Sequence, residues 1–300
     1  MTKSPKLSIV ILNYNTGNYL LNCLKSIYAS SLSPSGYEII LVDNASTDNS
    51  LSQIKPFTNL LKTKNFQIII NPKNLGFSAG NNVGVRLANP NSRYLLFLNP
   101  DTLVNPDTLR RMLRFFSQNP KVDATTCKII LASTGAVQPE CHRSFPTPLS
   151  SLLYFSGISR RFYFAKHLDF SQTQKIDACS GSFLMIKKSV GDRLAWWNEK
   201  YFFYGEDLDL CYKLKQHAYQ LYYYPFTSIT HYQGISSGIK KTKSTASRAT
   251  KILAVQSSTQ AMKIFFQENL ADHYPRSLRW LVWAGIALLE KYLVLKAKYL

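Results

Sequence analysis

The chain has 300 residues, with 36 Lys and Arg against 17 Asp and Glu and a formal net charge of +19. At 45% hydrophobic and 13% aromatic it can bury a sizeable core, which excludes wholesale disorder, and its length allows one large domain or two smaller ones. The basic excess invites nucleic acid as a partner, yet only 18% of residues are charged, so scarce acids matter as much as abundant bases.

The segment Met1–Lys6 leads into a short apolar run before Asn13, too short for the apolar region of a secretion signal. Leu7–Leu12 reads as a strand ending in Asn13-Tyr14-Asn15, and Leu20, Leu21, Leu24, Ile27 and Tyr28 form one face of a following helix. Glu38–Val42, Phe66–Ile70 and Tyr94–Leu98 are further strands, ending respectively at Asp43, at a Gly-bearing loop with Asn71 and Asn74, and at Asn99-Pro100-Asp101. A helix is expected around Asn81–Ala88. Strands alternating with helices specify βαβ units on a mainly parallel sheet, with polar residues just past the strands' C-terminal ends, the edge where open α/β sheets bind ligands.

Beyond Asp101 a helix is expected over 107–118, then short strands and Pro-rich aromatic loops to about 180. A helix over Asp207–His217 and a strand from Leu221 ending at His231 follow. From Lys240 onward 11 Lys and Arg face three acids, on two helical patterns separated near Pro275. The longest apolar stretch there, Trp280–Leu289, falls short of the roughly 18 residues of a membrane span. Five spread cysteines (23, 127, 141, 179 and 211) without a C-x-x-C pair read as reduced thiols in a cytosolic interior, not as a zinc site or disulfide scaffold.

Four places carry chemistry. Asp43 either accepts hydrogen bonds from a nucleoside or, with Asn44, caps the next helix. Asp101 either holds a hard divalent cation that neutralises a diphosphate or closes an Asn-Pro-Asp turn. Glu206, Asp207 and Asp209 follow four aromatics and Gly205. Asp207 suits a general base behind a water-excluding aromatic wall that raises its pKa, while the helix dipole accounts for Asp209. His231 is either a metal or diphosphate ligand or a structural histidine.

In their order along the chain, SIVILNYNT (8–16), LVDNASTDNS (41–50), NPKNLGFSAGNN (71–82), LLFLNPDT (95–102), CSGSFLMIKKS (179–189), FFYGEDLDLCYKL (202–214) and HYQGISS (231–237) resemble the inverting glycosyltransferases of family 2, specifically bacterial rhamnosyltransferase-like members that build cell-surface polysaccharides. The resemblance implies an α/β fold of the GT-A type, with a mainly parallel central sheet flanked by helices, plus C-terminal helices. It divides the chain into a nucleotide-sugar-binding half (1–105), an acceptor-binding and catalytic half (106–240) and a basic amphipathic helical tail (241–300). Asn13, Tyr14, Asp43, Asn74, Gly76, Asn99, Gly181 and Ser182 are implied to line the nucleotide-sugar site. Asp101 and His231 are implied to hold Mg²⁺ or Mn²⁺, and Glu206-Asp207 to be catalytic with Asp207 the base. Asn99 stands where the family's D-x-D has its first Asp, so one formal negative charge is missing there.

The implied donor is a dTDP- or UDP-sugar, with rhamnose the favoured sugar, and the acceptor a saccharide or lipid-linked saccharide. In the tail, Arg276, Arg279, Glu290, Lys291 and Lys298 share about a third of the helical wheel beside an apolar face with Trp280 and Trp283. That pattern suits an anionic membrane surface on the cytoplasmic side, a second copy of the chain, or packing on the catalytic domain. Nucleic acid is not an expected partner: the chain has no finger, no RNA-recognition signature and no single helix that gathers the bases. The competing functional readings are a catalytically silent sugar-nucleotide-binding partner, suggested by Asn99, a basic nucleic-acid-binding protein, and a sugar-phosphate nucleotidylyltransferase, whose Gly-rich, Arg-containing phosphate loop is missing from NYNTGNY.

Overall fold

The computed structural model describes residues 6–60, 65–158, 163–165, 169–235 and 248–299. Ser236 and Ser237 of the HYQGISS segment, and the expected boundary between 240 and 241, lie outside the described residues. In chain order the elements are β1 (Leu7–Asn13), α1 (Asn18–Tyr28), β2 (Tyr37–Asp43), α2 (Ser50–Leu60), β3 (Phe66–Ile70), α3 (Gly76–Leu87), β4 (Tyr94–Leu98), β5 (Thr102–Val104), α4 (Thr108–Gln118), β6 (Ala124–Leu131), α5 (Pro148–Phe155), β7 (Gln174–Lys175), β8 (Phe183–Lys187), α6 (Lys188–Arg193), α7 (Glu206–Gln216), β9 (Leu221–His231), α8 (Arg248–Phe265) and α9 (Arg276–Tyr299).

These strands form one sheet in the order β3-β2-β1-β4-β8-β6-β9-β5, with β7 paired to β9. β1, β2, β3 and β4 run parallel, while β8 is antiparallel to both β4 and β6. Strands β1, β2 and β4 are covered on both faces, which is why their sequences are near-continuous apolar runs. β3 is the edge strand and leaves Ile68 and Ile70 exposed. Two glycines fix the distance of α3 from the sheet: a Cβ on Gly80 would come within 2.5 Å of Leu12, and one on Gly84 within 2.4 Å of Val10. The same weak helix formers hide the start of α3, which begins at Gly76 instead of near Asn81; packing outweighs local propensity there.

The second half of the sheet carries His231 to the ligand edge. β6 and β9 pair in parallel with a register shift that leaves Pro225, Phe226 and Thr227 unpaired between Tyr224 and Ser228. Pro225 has no N–H to offer a ladder, and a bulge is where a strand tolerates that. β9 then resumes pairing with β6 and β5, placing His231 opposite Thr102.

The C-terminal segment divides in two. Thr259, Ala261 and Phe265 of α8 are buried, as are Phe266, Asn269 and Leu270 in the π-helical turn Phe266–Leu270 that follows it. Asn269 donates to Asp209 Oδ1 at 2.9 Å, and Glu268 accepts from Lys200 and Asn198 at 2.5 and 2.7 Å. α9 packs back on α8, and the Lys263–Glu290 pair (2.7 Å) crosses the seam between them.

Candidate functional site

The loops after β1 and β2 form one hydrogen-bonded unit. Asn13 and Asp43 are register partners at the ends of adjacent parallel strands, so their side chains meet, and Asn13 Nδ2 donates to Asp43 Oδ1 at 2.7 Å. Asp43 Oδ2 accepts from the Ser46 N–H at 2.9 Å, and Thr16 donates to Asn13 Oδ1. Both side chains are buried, and Tyr14 is half-buried beside them. The alternative that Asp43 caps α2 does not hold: Asp48 does that work, accepting from the Ser50 N–H at 3.1 Å. Asp43 thus keeps spare lone pairs for a ligand at the sheet edge.

Asn44 joins this unit to the next loop. Its Nδ2 donates to Asn74 Oδ1 at 2.7 Å and its Oδ1 accepts from Asn71 Nδ2 and the Leu75 N–H at 3.1 and 3.0 Å. Asn74 also receives the Gly76 N–H at 2.8 Å. Gly76 has φ +82°, and a Cβ there would lie 2.6 Å from the carbonyl oxygen of Phe202. That contact seats the loop leading to α7 on the start of α3, where the Phe77 N–H donates to the same carbonyl at 2.7 Å.

A second group forms between β4 and β9. His231 Nε2 lies 3.2 Å from Asp101 Oδ1, and both residues are buried. His231 Nδ1 lies 2.8 Å from Gln138 Oε1. When Nδ1–H donates to Gln138, the Nε2 lone pair faces the Asp101 carboxylate, and two acceptors at that distance require a proton or a cation between them. One carboxylate and one imidazole match a hard divalent cation that takes its remaining ligands from phosphates and water. Among the described residues no three His, Cys, Asp or Glu side chains converge on a metal position, so the protein alone does not make a full cage. The pair therefore fits a cation that arrives with a diphosphate. Asn99 is half-buried, and its N–H donates to the Ser182 carbonyl at 3.1 Å, which ties this turn to the 179–182 segment.

The third group surrounds the N-terminus of α7. Asp207 Oδ2 accepts from Arg143 Nη2 in a short, largely buried ion pair, and from the Gly181 N–H at 3.3 Å. Asp207 Oδ1 accepts from the Leu208 N–H at 2.8 Å. Arg143 is pinned by paired backbone hydrogen bonds with Ala178 at 2.8 and 3.0 Å, and its Nε has no hydrogen-bond partner among the described residues. The neighbouring Glu206 is buried, with Oε2 unpartnered among the described residues. Burial, reinforced by the Asp207 charge, pushes its carboxyl up to about 8. Burial therefore favours the protonated form of Glu206. Asp209 points the other way: it is fully buried and held by Asn269, by Lys213 at 3.0 Å and by the Tyr201 hydroxyl at 3.3 Å.

Beside Arg143, Glu206 and Asp207 opens a cavity of about 340 Å³ between α5, α7 and α8. The sequence motifs placed the carboxylates but gave no sign of Arg143, of Gln138 or of the α8 wall. Arg143 is the only arginine between Arg114 and Arg160, in a Pro-rich aromatic stretch; that isolation was the available signal.

The sequence profile of glycosyl transferase family 2 matches residues 8–194, which include the Asn13–Asp43 unit, the Asn99–Asp101 turn and Gly181–Ser182. The chain belongs to that family. The Escherichia coli (strain K12) rhamnosyltransferase WbbL is 28% identical over 162 residues, covering 52% of this chain and 61% of that protein. The Haloferax volcanii low-salt glycan biosynthesis hexosyltransferase Agl10 is 26% identical over 217 residues, 72% of this chain and 63% of that one. The chain thus spans about three-fifths of the length of these two relatives. The Mycobacterium tuberculosis N-acetylglucosaminyl-diphospho-decaprenol L-rhamnosyltransferase is 23% identical over 300 residues, covering 94% of this chain and 91% of its own. Among solved structures, the mannosyltransferase PcManGT from Pyrobaculum calidifontis, in complex with GDP-Man and Mn²⁺, superposes with a TM-score of 0.62 over 99% of this chain and 74% of its own, at 16% identity. GalNAc-T7 with UDP, GalNAc and Mn²⁺ gives 0.58 over 77% of this chain and 44% of its own, at 15% identity. The fold is the GT-A type, and in this family 2 chain the three groups above occupy one edge of its sheet.

Proposed function

We propose that this chain transfers a sugar, with inversion, from a nucleoside-diphosphate donor to an acceptor hydroxyl in the synthesis of a cell-surface glycan. The observation that carries the reading is the setting of the Asp207 carboxylate, held by Arg143 and the Gly181 N–H beside the cavity, with buried Glu206 next to it. Two adjacent carboxyls are given different environments, which is how acid and base roles are separated. Burial favours the protonated form of Glu206, while Asp207 is aimed by Arg143 and Gly181. Three donors occupy three of the four lone-pair positions of the Asp207 carboxylate, and the position left is on Oδ1. In this reading Oδ1 takes the proton of the acceptor hydroxyl as that oxygen attacks the anomeric carbon and the nucleoside diphosphate departs.

Asp43, Asn13 and Tyr14 receive the nucleoside, and the Asn74–Gly76 loop approaches the nucleotide. Asp101 and His231 hold Mg²⁺ or Mn²⁺ with the diphosphate, and the cation supplies charge neutralisation for the leaving group. Mn²⁺ is supported by the two solved neighbours named above, and rhamnose by the names of two relatives, one of which carries a diphospho-decaprenol acceptor. The donor half is residues 1–105. We place the acceptor half at 106–274 instead of ending it at 240, because α8 and the π-helical turn pack on α7. That leaves α9 alone as the tail that lies on an anionic membrane at the cytoplasmic face. Among the described residues no helix is long and apolar enough to cross a membrane.

A thermal-shift and transfer screen of dTDP-, UDP- and GDP-sugars, with and without Mn²⁺, tests this proposal. A single nucleotide sugar is expected to raise the melting temperature in a cation-dependent way. Asp207→Asn is expected to lower transfer by about 10²–10⁴-fold while nucleotide binding stays within about twofold of the parent. Full turnover by that variant would remove Asp207 from the base role.

A further inference from the structure

Helix α5 is apolar apart from Ser150 and Ser151, yet none of its residues is buried. Leu149 and Leu152 are 67% and 66% exposed, and Ile158 just beyond is 75% exposed. A short helix with aliphatic side chains in solvent and no core contact has a partner elsewhere. Its other side, through Tyr154 and Phe155, forms one wall of the 340 Å³ cavity, and Met262 and Phe265 of α8 form the opposite wall. The inner end of that cavity is Asp207 with the Arg143 guanidinium. One continuous surface thus runs from the carboxylate through a cationic group into a largely apolar cavity and out over exposed aliphatic residues.

We infer that this cavity is a subsite for the hydrocarbon chain of a lipid-linked acceptor, with Arg143 facing the phosphate that joins sugar to lipid. The inference rests on the transferase reading above, because it is the base at Asp207 that sets which end of the acceptor lies inward. Away from Arg143, Glu206 and Asp207 the walls are mainly the rings and apolar side chains of Tyr154, Phe155, Met262 and Phe265, a surface that gives a saccharide few partners for the hydrogen bonds it makes in water. A methylene chain has no such demand, and pockets of this size commonly bind ligands that are mostly apolar with one polar anchor. Arg143 lines the cavity and keeps 11% of its side-chain surface accessible, so its positive charge reaches a phosphate held beside Asp207.

Calorimetric titration of the full-length protein with decyl phosphate and ethyl phosphate, both below micelle-forming concentration, tests the subsite without any turnover. Decyl phosphate is expected to bind at least about tenfold more tightly than ethyl phosphate, as burial of eight further methylenes requires. Ser258→Trp on α8 and Ser151→Trp on α5 fill the cavity from opposite walls and are expected to remove that difference. Circular dichroism melting identifies a variant that fails to fold, in which case the other one decides. Arg143→Gln is expected to bring the affinity for decyl phosphate down to that for decanol. Equal affinity for the two phosphates, or parental chain-length preference in a folded Trp variant, overturns the subsite. Parental preference for decyl phosphate over decanol in Arg143→Gln overturns the phosphate assignment. A nucleotide-sugar titration of the same preparation reads the transferase proposal separately, so the two can fail independently.

Discussion

Glu206 shows what a single side chain can reveal about this site. Its carboxyl is raised from the ordinary glutamate value of 4.5 to about 8, first by burial and then by the neighbouring Asp207 charge. A native acid that holds its proton more tightly than the unfolded one favours the fold fully below about pH 4.5. That contribution is lost as pH rises toward about 8. The melting temperature is therefore expected to fall between about pH 5 and pH 8, and Glu206→Gln to flatten the slope; parallel curves for the two proteins would show that another group is responsible. The carboxylates were legible from sequence because three acids crowd into four residues behind an aromatic run. That Glu206 is the one pushed upward was not, since its burial is set by distant parts of the chain packing around it.

At the scale of elements, the parallel half of the sheet was readable nearly to the residue, because strands covered on both faces have no choice but apolar side chains. The antiparallel half was less so. The strand from Leu221 to His231 was legible, but β7 has two residues and β5 three, too few to show a period. The start of α3 was hidden for a different reason: it depends on a tertiary contact at Gly76. Gly76→Ala must both hold a left-handed backbone and displace the Phe202 carbonyl. It is expected to destabilise the protein by about 1–3 kcal/mol and to weaken nucleotide binding, measured by denaturant unfolding and by titration with UDP or dTDP. Parental stability in that variant would mean that the 202–205 loop does not sit on α3 in solution. Of the charged residues that share one edge of the α9 wheel, Arg279 pairs with Asp272 at 3.4 Å and Glu290 with Lys263 at 2.7 Å, so part of that edge is used within the fold. Truncation after residue 274 is expected to leave a folded protein with its cavity intact. Truncation after residue 255 removes the partner of Asp209 and one cavity wall, and is expected to cost transfer completely and to lower the melting temperature.

For the molecule as a whole, the charge of +19 has a structural address only in part. The outward face of α9 is apolar, with Trp280 77% exposed and Leu281, Leu288, Tyr292 and Leu295 beside it, and Lys291, Lys296 and Lys298 interspersed. A face of that kind binds anionic bilayers by burial and charge together, and the charge part weakens with salt. The full-length protein is expected to co-sediment with phosphatidylglycerol-containing vesicles, less so at high salt, and the 274 truncation to remain in the supernatant. Equal sedimentation of both proteins would move membrane contact away from α9, and a concentration-dependent dimer lost in the same truncation would assign the face to a second copy.

The link between Asn269 and Asp209 has one more consequence, which concerns time. A chain leaves the ribosome N-terminus first at about 5–20 residues per second. The donor half therefore emerges and can close its sheet while the far end is still being made. Helix α7, with the proposed Glu206-Asp207 pair, lacks its fastening until Asn269, 60 residues after Asp209, has been made. Under the proposed function, a product that stops between the donor half and Asn269 would bind nucleotide sugar and be unable to use it.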